Sequence, residues 1–139
     1  MPLLIAFIGT LAASLVVNVF MERLTGPIII VEKLLKLSLT HNPHIAFSIA
    51  LPAILQNILI GCALGLVMML AYRTRDQFAR VAYGLILGGA IGNIIDRLSD
   101  GTVTDYVSVG TFPVFNMADI CITIGAGLLI LEGVKRKGS

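Results

Sequence analysis

The chain has 139 residues, 57% hydrophobic and 13% charged, with a net charge of +2 and a mean hydropathy of +0.95. Soluble domains carry about 25% charged residues, so the composition excludes an ordinary soluble domain and makes the bilayer the solvent of this chain. The small net charge, the lack of any basic cluster interleaved with aromatics and the absence of Trp give no ground for a nucleic-acid partner.

The length is that of one domain, read as a single integral membrane domain over residues 1–139 with apolar runs at approximately 2–21, 46–71, 81–95 and 113–133. Residues 2–21 lack a positively charged leading region and reach the roughly 20 apolar residues that a bilayer requires. They read as a first membrane helix rather than a cleavable leader. Within them Thr10, Ser14 and Asn18 recur at every fourth position and share one helix face, expected to look into a bundle. The stretch from about 22 to 45 is too patterned for a plain linker. In "LLKLSLTHN", Leu35, Leu37 and Leu39 alternate with Lys36, Ser38 and Thr40, the period of a half-buried strand. The β-branched "IIIV" at 28–31 is a candidate partner strand.

The second and fourth runs contain Cys62 and Cys121, which have no CxxC or Cys/His spacing and read as small buried residues. The third run repeats Gly84, Gly88 and Gly92, a small-xxx-small face that lets membrane helices approach closely. It is short before Asp96 and is expected to continue as helix past Asn93. Next, "TVTDYVSV" at 102–109 alternates again, with Val103, Asp105 and Val107 on one face, and Gly110 and Pro113 supply a turn before the fourth run.

Backbone groups in lipid must be satisfied within their own segment, so each run is expected to be helical. The fold class is an all-α membrane protein of four transmembrane helices with a small extracytoplasmic β-sheet element, and Asp105 on or beside one of its strands. Charge sets the orientation. Arg73, Arg75 and Arg80 in the second connection and Lys135, Arg136 and Lys137 in the tail make six of the ten Lys and Arg. The positive-inside rule makes that side cytoplasmic and, with four spans, places both termini there. Glu22, Glu32, Asp96, Asp100, Asp105 and Asp119 fall on or near the outer face; only Asp76 and Glu132 lie inside.

The polar residues that carry chemistry gather at that outer face. "GNIIDR" closes the third run with Asn93, Asp96 and Arg97 on one helix face. "VTD" brings Asp105, "FNMAD" opens the fourth run with Asn116 and Asp119, and "HNPHIAFS" opens the second with Asn42. A carboxylate inside a membrane run is costly, about 2.5–3.5 kcal/mol at a helix centre, and is a functional candidate unless paired. Asp96 has a structural reading, a pair with Arg97 that ends the helix. Asp119 has no local cation, and the loop 106–115 returns it towards Asp105. Two carboxylates sharing a partly dry site do not both ionise; the ionised one activates water while the protonated one serves the substrate carbonyl. That chemistry hydrolyses peptides without metal, Ser or Cys. No HExxH or Gly-x-Ser-x-Gly occurs, and His41 and His44 have no third ligand at metal spacing, so no metal is expected.

Taken together, "GGAIGNIIDR", "VTDYV", "FPVFNMAD" and "HNPHIAFS" resemble the lipoprotein signal peptidase (signal peptidase II) family, in the family's order and over about 50 residues. The resemblance implies an intramembrane aspartic endopeptidase of the bacterial cytoplasmic (inner) membrane, with its active site at the extracytoplasmic face. Such an enzyme removes signal peptides from diacylglyceryl-modified prolipoproteins, cutting before the lipidated cysteine. Asp105 and Asp119 match the catalytic pair. Asn42, Asn93, Arg97 and Asn116, with Asp96 beside them, match the residues that hold the pair and the substrate backbone. Diacylated prolipoproteins, membrane lipid and globomycin-type inhibitors are the implied partners, and the resemblance implies no cofactor. The apolar surface between the second, third and fourth spans is expected to take the acyl chains, with Phe47 and Phe115 as walls.

Two positions depart from the family pattern. Asn18, with Glu22 after it, stands where an acid is usual, and His44 replaces a glycine near the substrate channel. The alternatives are a small membrane transporter or channel subunit using the outer carboxylates, or an inactive relative that binds lipopeptides. The acids crowd one face and leave no polar path to the other, which weighs against transport.

Overall fold

The computed structural model describes residues 1–43 and 53–137; His44 and Phe47 lie outside the described residues. Its elements are α1 (Pro2–Met21), β1 (Ile28–Val31), β2 (Leu35–Asn42), α2 (Ala53–Arg73), α3 (Gln77–Asp100), β3 (Val103–Val109) and α4 (Met117–Lys137). All four helices contain a stretch long and apolar enough to cross a membrane. The three strands form one antiparallel sheet in the order β1-β2-β3. This is the fold class expected from the sequence.

Helix ends are set by caps rather than by where apolarity fades. Pro2 sits in the first turn of α1, where its missing N–H costs nothing. The apolar run 81–95 becomes a helix of 24 residues. At its start Asp76 accepts a hydrogen bond from the Ala79 N–H at 2.8 Å. At its end Gly101, at φ 87°, turns left-handed and donates its N–H to the Arg97 carbonyl at 2.8 Å. Twenty-four residues make about 36 Å of helix, longer than the roughly 30 Å hydrocarbon core. The last turns of α3, with Asp96 and Arg97, therefore have length to spare. The fourth helix starts later than its apolar run, at Met117.

Between α1 and α4 lies α3, packed against both. The two stripes of the sequence, Thr10/Ser14/Asn18 and Gly84/Gly88/Gly92, face each other with an offset of one rung, Gly84 packing on Leu3 and Ala6. A Cβ on Gly88 would come within 2.6 Å of the Phe7 carbonyl oxygen and 2.8 Å of Thr10 Cβ, so only glycine permits this approach. One rung on, a Cβ on Gly92 would meet Ser14 Cβ at 3.2 Å. The following rung is polar: Asn18 Nδ2 donates to Asp96 at 3.2 Å. Ser14 returns its hydroxyl to the Thr10 carbonyl at 2.9 Å, which spares it an unsatisfied donor. The apolar residues of α1 on other faces, such as Ile5 and Phe20, are exposed, as a lipid-facing surface would be.

In the sheet, Leu35 and Leu37 of β2 face Val109 and Val107 of β3, but Thr40 faces Asp105 and Asn42 faces Val103. Between the pairs Leu37–Val107 and Thr40–Asp105, β2 advances three residues while β3 advances two. This is a β-bulge, and it interrupts the uninterrupted alternation that Leu35, Leu37 and Leu39 suggest. Without it Leu39 would oppose Asp105, and Asn42 would point to the opposite face. Asn42 is thus the last residue of β2 rather than the opening of the second membrane run; Pro43, with no N–H to give, follows it.

Candidate active site

The N-terminus of α4 builds one half of the site. Asn116 is the residue before the helix, and its Oδ1 accepts the Asp119 N–H at 3.0 Å. The Asp119 carboxylate leans back towards the Asn116 N–H at 3.4 Å. This reciprocal arrangement is a capping box, and it explains the i, i+3 spacing in "FNMAD". The first turn of a helix also favours a negative charge. The next orphan donor, the Met117 N–H, is satisfied by the Tyr106 phenol oxygen at 2.9 Å.

The other half comes from β3, whose first four residues are buried on both faces. Asp105 is 3% exposed. Its Oδ2 accepts from Asn42 Nδ2 at 3.0 Å and its Oδ1 from Asn116 Nδ2 at 3.1 Å. Asn116, fully buried, also donates to Asn93 Oδ1 at 3.0 Å, and Asn93 Nδ2 donates to Asp119 Oδ1 at 2.9 Å. The two carboxylates are therefore joined by a pair of amides, Asn116 and Asn93. Burial pushes the Asp105 carboxyl up to about 6, opposed by the hydrogen bonds of Asn42 and Asn116 and reinforced by the charges of Asp119 and Asp96. Burial likewise pushes the Tyr106 phenol up, which keeps it neutral.

Both carboxylates open onto a cavity of about 730 Å³ between α2, α3 and α4. Ile60, Ala63 and Leu64 of α2, Ile86, Ala90 and Ile94 of α3, and Ile120 and Ile124 of α4 form its apolar walls. Phe112, Pro113, Val114 and Phe115 also line it, the rings of Phe112 and Phe115 edge to face at 5.9 Å between centroids. The polar end carries Asn42, Asn93, Arg97, Asp105 and Asp119. A long apolar slot with convergent polar groups at one end suits a ligand with lipid-like bulk and one polar reacting bond. Among the described residues no group of three His, Cys, Asp or Glu side chains converges as a metal site requires.

Of the seven site residues expected from the sequence, five line the cavity and Asn116 lies directly behind it. Asp96 does not line it. Its carboxylate faces the other way, accepting the Thr104 N–H at 2.6 Å, the Thr104 hydroxyl at 3.2 Å and Asn18 Nδ2 at 3.2 Å. Phe115 lines the cavity as expected of a wall. The sequence reading missed Thr104 and Tyr106. Both lie on the other face of β3, and the signal for them was chemical: a hydroxyl and a phenol in a strand beside a membrane bundle need buried partners.

A family model described as signal peptidase (SPase) II matches residues 3–135. Proteins named lipoprotein signal peptidase from Brucella ovis, Brucella abortus and Brucella melitensis are each 45% identical over 102 residues, 67% of this chain. The aligned stretch spans 63% of the length of those relatives. Two solved structures described as a bacterial membrane enzyme share the fold. One has a TM-score of 0.86 over 97% of this chain and 88% of its own, the other 0.82 over 96% and 92%, both at 23% identity.

Proposed function

The chain belongs to the signal peptidase II family, and from that premise we propose that it is an aspartic endopeptidase with Asp105 and Asp119 as its catalytic pair. Its substrates on this reading are diacylglyceryl-modified prolipoproteins, cut on the N-terminal side of the lipidated cysteine. One observation carries the reading: two carboxylates joined through Asn116 and Asn93 stand at the polar end of an apolar cavity.

The reaction starts with Asp119 ionised, in the capping box of α4, and Asp105 protonated, as its burial favours. Asp119 takes a proton from water, and the oxygen attacks the scissile carbonyl carbon. Asp105 gives its proton to the carbonyl oxygen, leaving a neutral gem-diol. Asp119 then passes its proton to the amide nitrogen, the C–N bond breaks, and the diol returns a proton to Asp105. The products are the signal-peptide carboxylic acid and the free amine of the lipidated cysteine. Asn116 and Asn93 fix the relative orientation of the two acids, and Arg97 at the cavity edge offers donors to the substrate backbone. The mechanism calls on no cofactor. Globomycin-type peptides would compete for the same cavity.

The pair is read as lying at the extracytoplasmic face of a bacterial inner-membrane protein with both termini cytoplasmic. The charge asymmetry between Arg73, Arg75, Arg80 and the tail on one side and the acids on the other supports this. Single cysteines placed at Gln77 and at Lys33 in a background lacking the native thiols are expected to label from opposite sides in intact cells. Labelling from the same side would sink this topology.

The assay is incubation of the purified, reconstituted chain with a diacylated prolipoprotein, read by gel shift; no shift over pH 5–9 would defeat the proposal. The same assay has an expected pH dependence. Protonated Asp105 is the acid, and its carboxyl is held up at about 6, so kcat/KM falls as pH rises through that value. The Asn42 amide stabilises the charged form, so Asn42→Ala should move this descending limb to higher pH. A limb that moves down or stays put would mean that Asp105 is not the group titrating.

A further inference from the structure

We infer that Asn18, on a helix that contributes no residue to the cavity lining, is a positioning residue for Asp105, acting through Asp96 and Thr104. The inference rests on the reading of Asp105 as a catalytic acid. Asn18 is 7% exposed and is the rung that follows Gly88–Thr10 and Gly92–Ser14 in the packing of α1 on α3. Its Nδ2 donates to Asp96 Oδ2, the same oxygen that accepts the Thr104 N–H at 2.6 Å. Asp96 Oδ1 takes the Thr104 hydroxyl at 3.2 Å, and Thr104 is 1% exposed. Thr104 is the residue before Asp105. The backbone that aims the Asp105 carboxyl into the cavity is thus clamped at its N–H and its hydroxyl by one carboxylate, and that carboxylate is oriented from α1.

A role in stability alone fits poorly. The Asn18 Oδ1 atom is buried with no hydrogen-bond partner among the described residues, a cost that an apolar side chain would avoid. What the amide supplies is one donor to Asp96. A protonated aspartic acid has the same shape and supplies the same donor. Asn18→Asp therefore places two carboxyls where one proton must be shared, keeps the net charge of the site and preserves the clamp until that proton leaves. The other charged groups around this point are Arg97 on α3, Asp105 on β3 and Asp119 at the head of α4. Just past the end of α1, Glu22 and Arg23 are exposed.

The test uses the full chain reconstituted in lipid with a diacylated prolipoprotein, comparing wild type, Asn18→Leu and Asn18→Asp for kcat, KM, pH profile and thermal midpoint. Asn18→Leu is expected to lower kcat on the order of tenfold with KM within about twofold, because the acid is misaimed while the cavity is intact. Asn18→Asp is expected to restore most of that loss at pH 6 and to show a steeper descending limb than wild type, two ionisations replacing one. Wild-type kcat in Asn18→Leu, with only the thermal midpoint changed, would overturn the inference. So would a loss that Asn18→Asp fails to reverse. If Asn18→Leu does not insert, the slope of the Asn18→Asp limb decides alone: a wild-type slope overturns the inference, and a steeper one supports it. Cleavage by Asp105→Asn would instead remove the proposed catalytic pair and is scored separately.

Discussion

Asp105→Asn and Asp119→Asn are each expected to abolish cleavage of a diacylated prolipoprotein, a loss on the order of 10⁴-fold or more, while the chain stays folded and inserted. Each amide keeps the shape of the carboxyl and removes its ability to exchange a proton. At Asp119 no base is left to take the proton of water. At Asp105 no acid is left for the carbonyl oxygen. The double variant should lose little beyond either single one, because in the proposed mechanism the two groups, joined through Asn116 and Asn93, act as a unit. Folding has its own readout. The Asp105 carboxyl is raised by burial from 3.8 to about 6, so its protonation favours the folded chain. That stabilisation is full below about 3.8 and is lost as pH rises through about 6. The thermal midpoint of wild type should therefore decline over this window, and that of Asp105→Asn should decline less. Measurable turnover by Asp119→Asn would mean that the base lies elsewhere.

The second large effect concerns the substrate's lipid. A prolipoprotein lacking diacylglycerol is expected to be cleaved at least about 100-fold more slowly than the lipidated form at equal membrane concentration. The cavity walls are Ile, Leu, Ala and Val side chains from three helices, and its polar groups stand at one end. Each acyl CH₂ that stays buried holds the substrate by about 0.8 kcal/mol. On the proposed reading, acyl chains lying along α2, α3 and α4 would bring the bond beside the lipidated cysteine level with Asp105 and Asp119. Proximity is then supplied by anchoring rather than by contacts at the reacting bond. Equal rates for the two substrates, compared by gel shift in the same vesicles, would remove the lipid from the mechanism.

Much of this was legible in the sequence because the bilayer admits few answers. Apolar runs must be helices, and period-two stretches at their ends can make a sheet; both follow from backbone hydrogen bonding. The residues of the site were legible as types: an acid without a local cation at 119, amides at 93 and 116. What pattern could not supply was direction. Asp96 shares a helix face with Asn93 in any helical projection, but its carboxylate bends to Thr104 and Asn18. That choice depends on β3 arriving beside it. The reading of "FNMAD" as a site motif was incomplete, since the same two side chains also cap α4. Caps likewise explain why α3 outruns its apolar stretch at both ends.

The bulge in β2 has a consequence for how this chain tolerates change. A strand presents its side chains in two alternating sets, so orientation is a matter of odd and even. The extra residue between Leu37 and Thr40 changes the parity of everything after it and turns Asn42 to the side of Asp105. A length change of two residues in that stretch leaves the parity as it is; a change of one inverts it and withdraws the amide from the acid, with Asn42 itself untouched. The interval from Leu37 to Asn42 therefore behaves as a one-bit setting of the site. It is stored as a count of residues rather than in the identity of any of them.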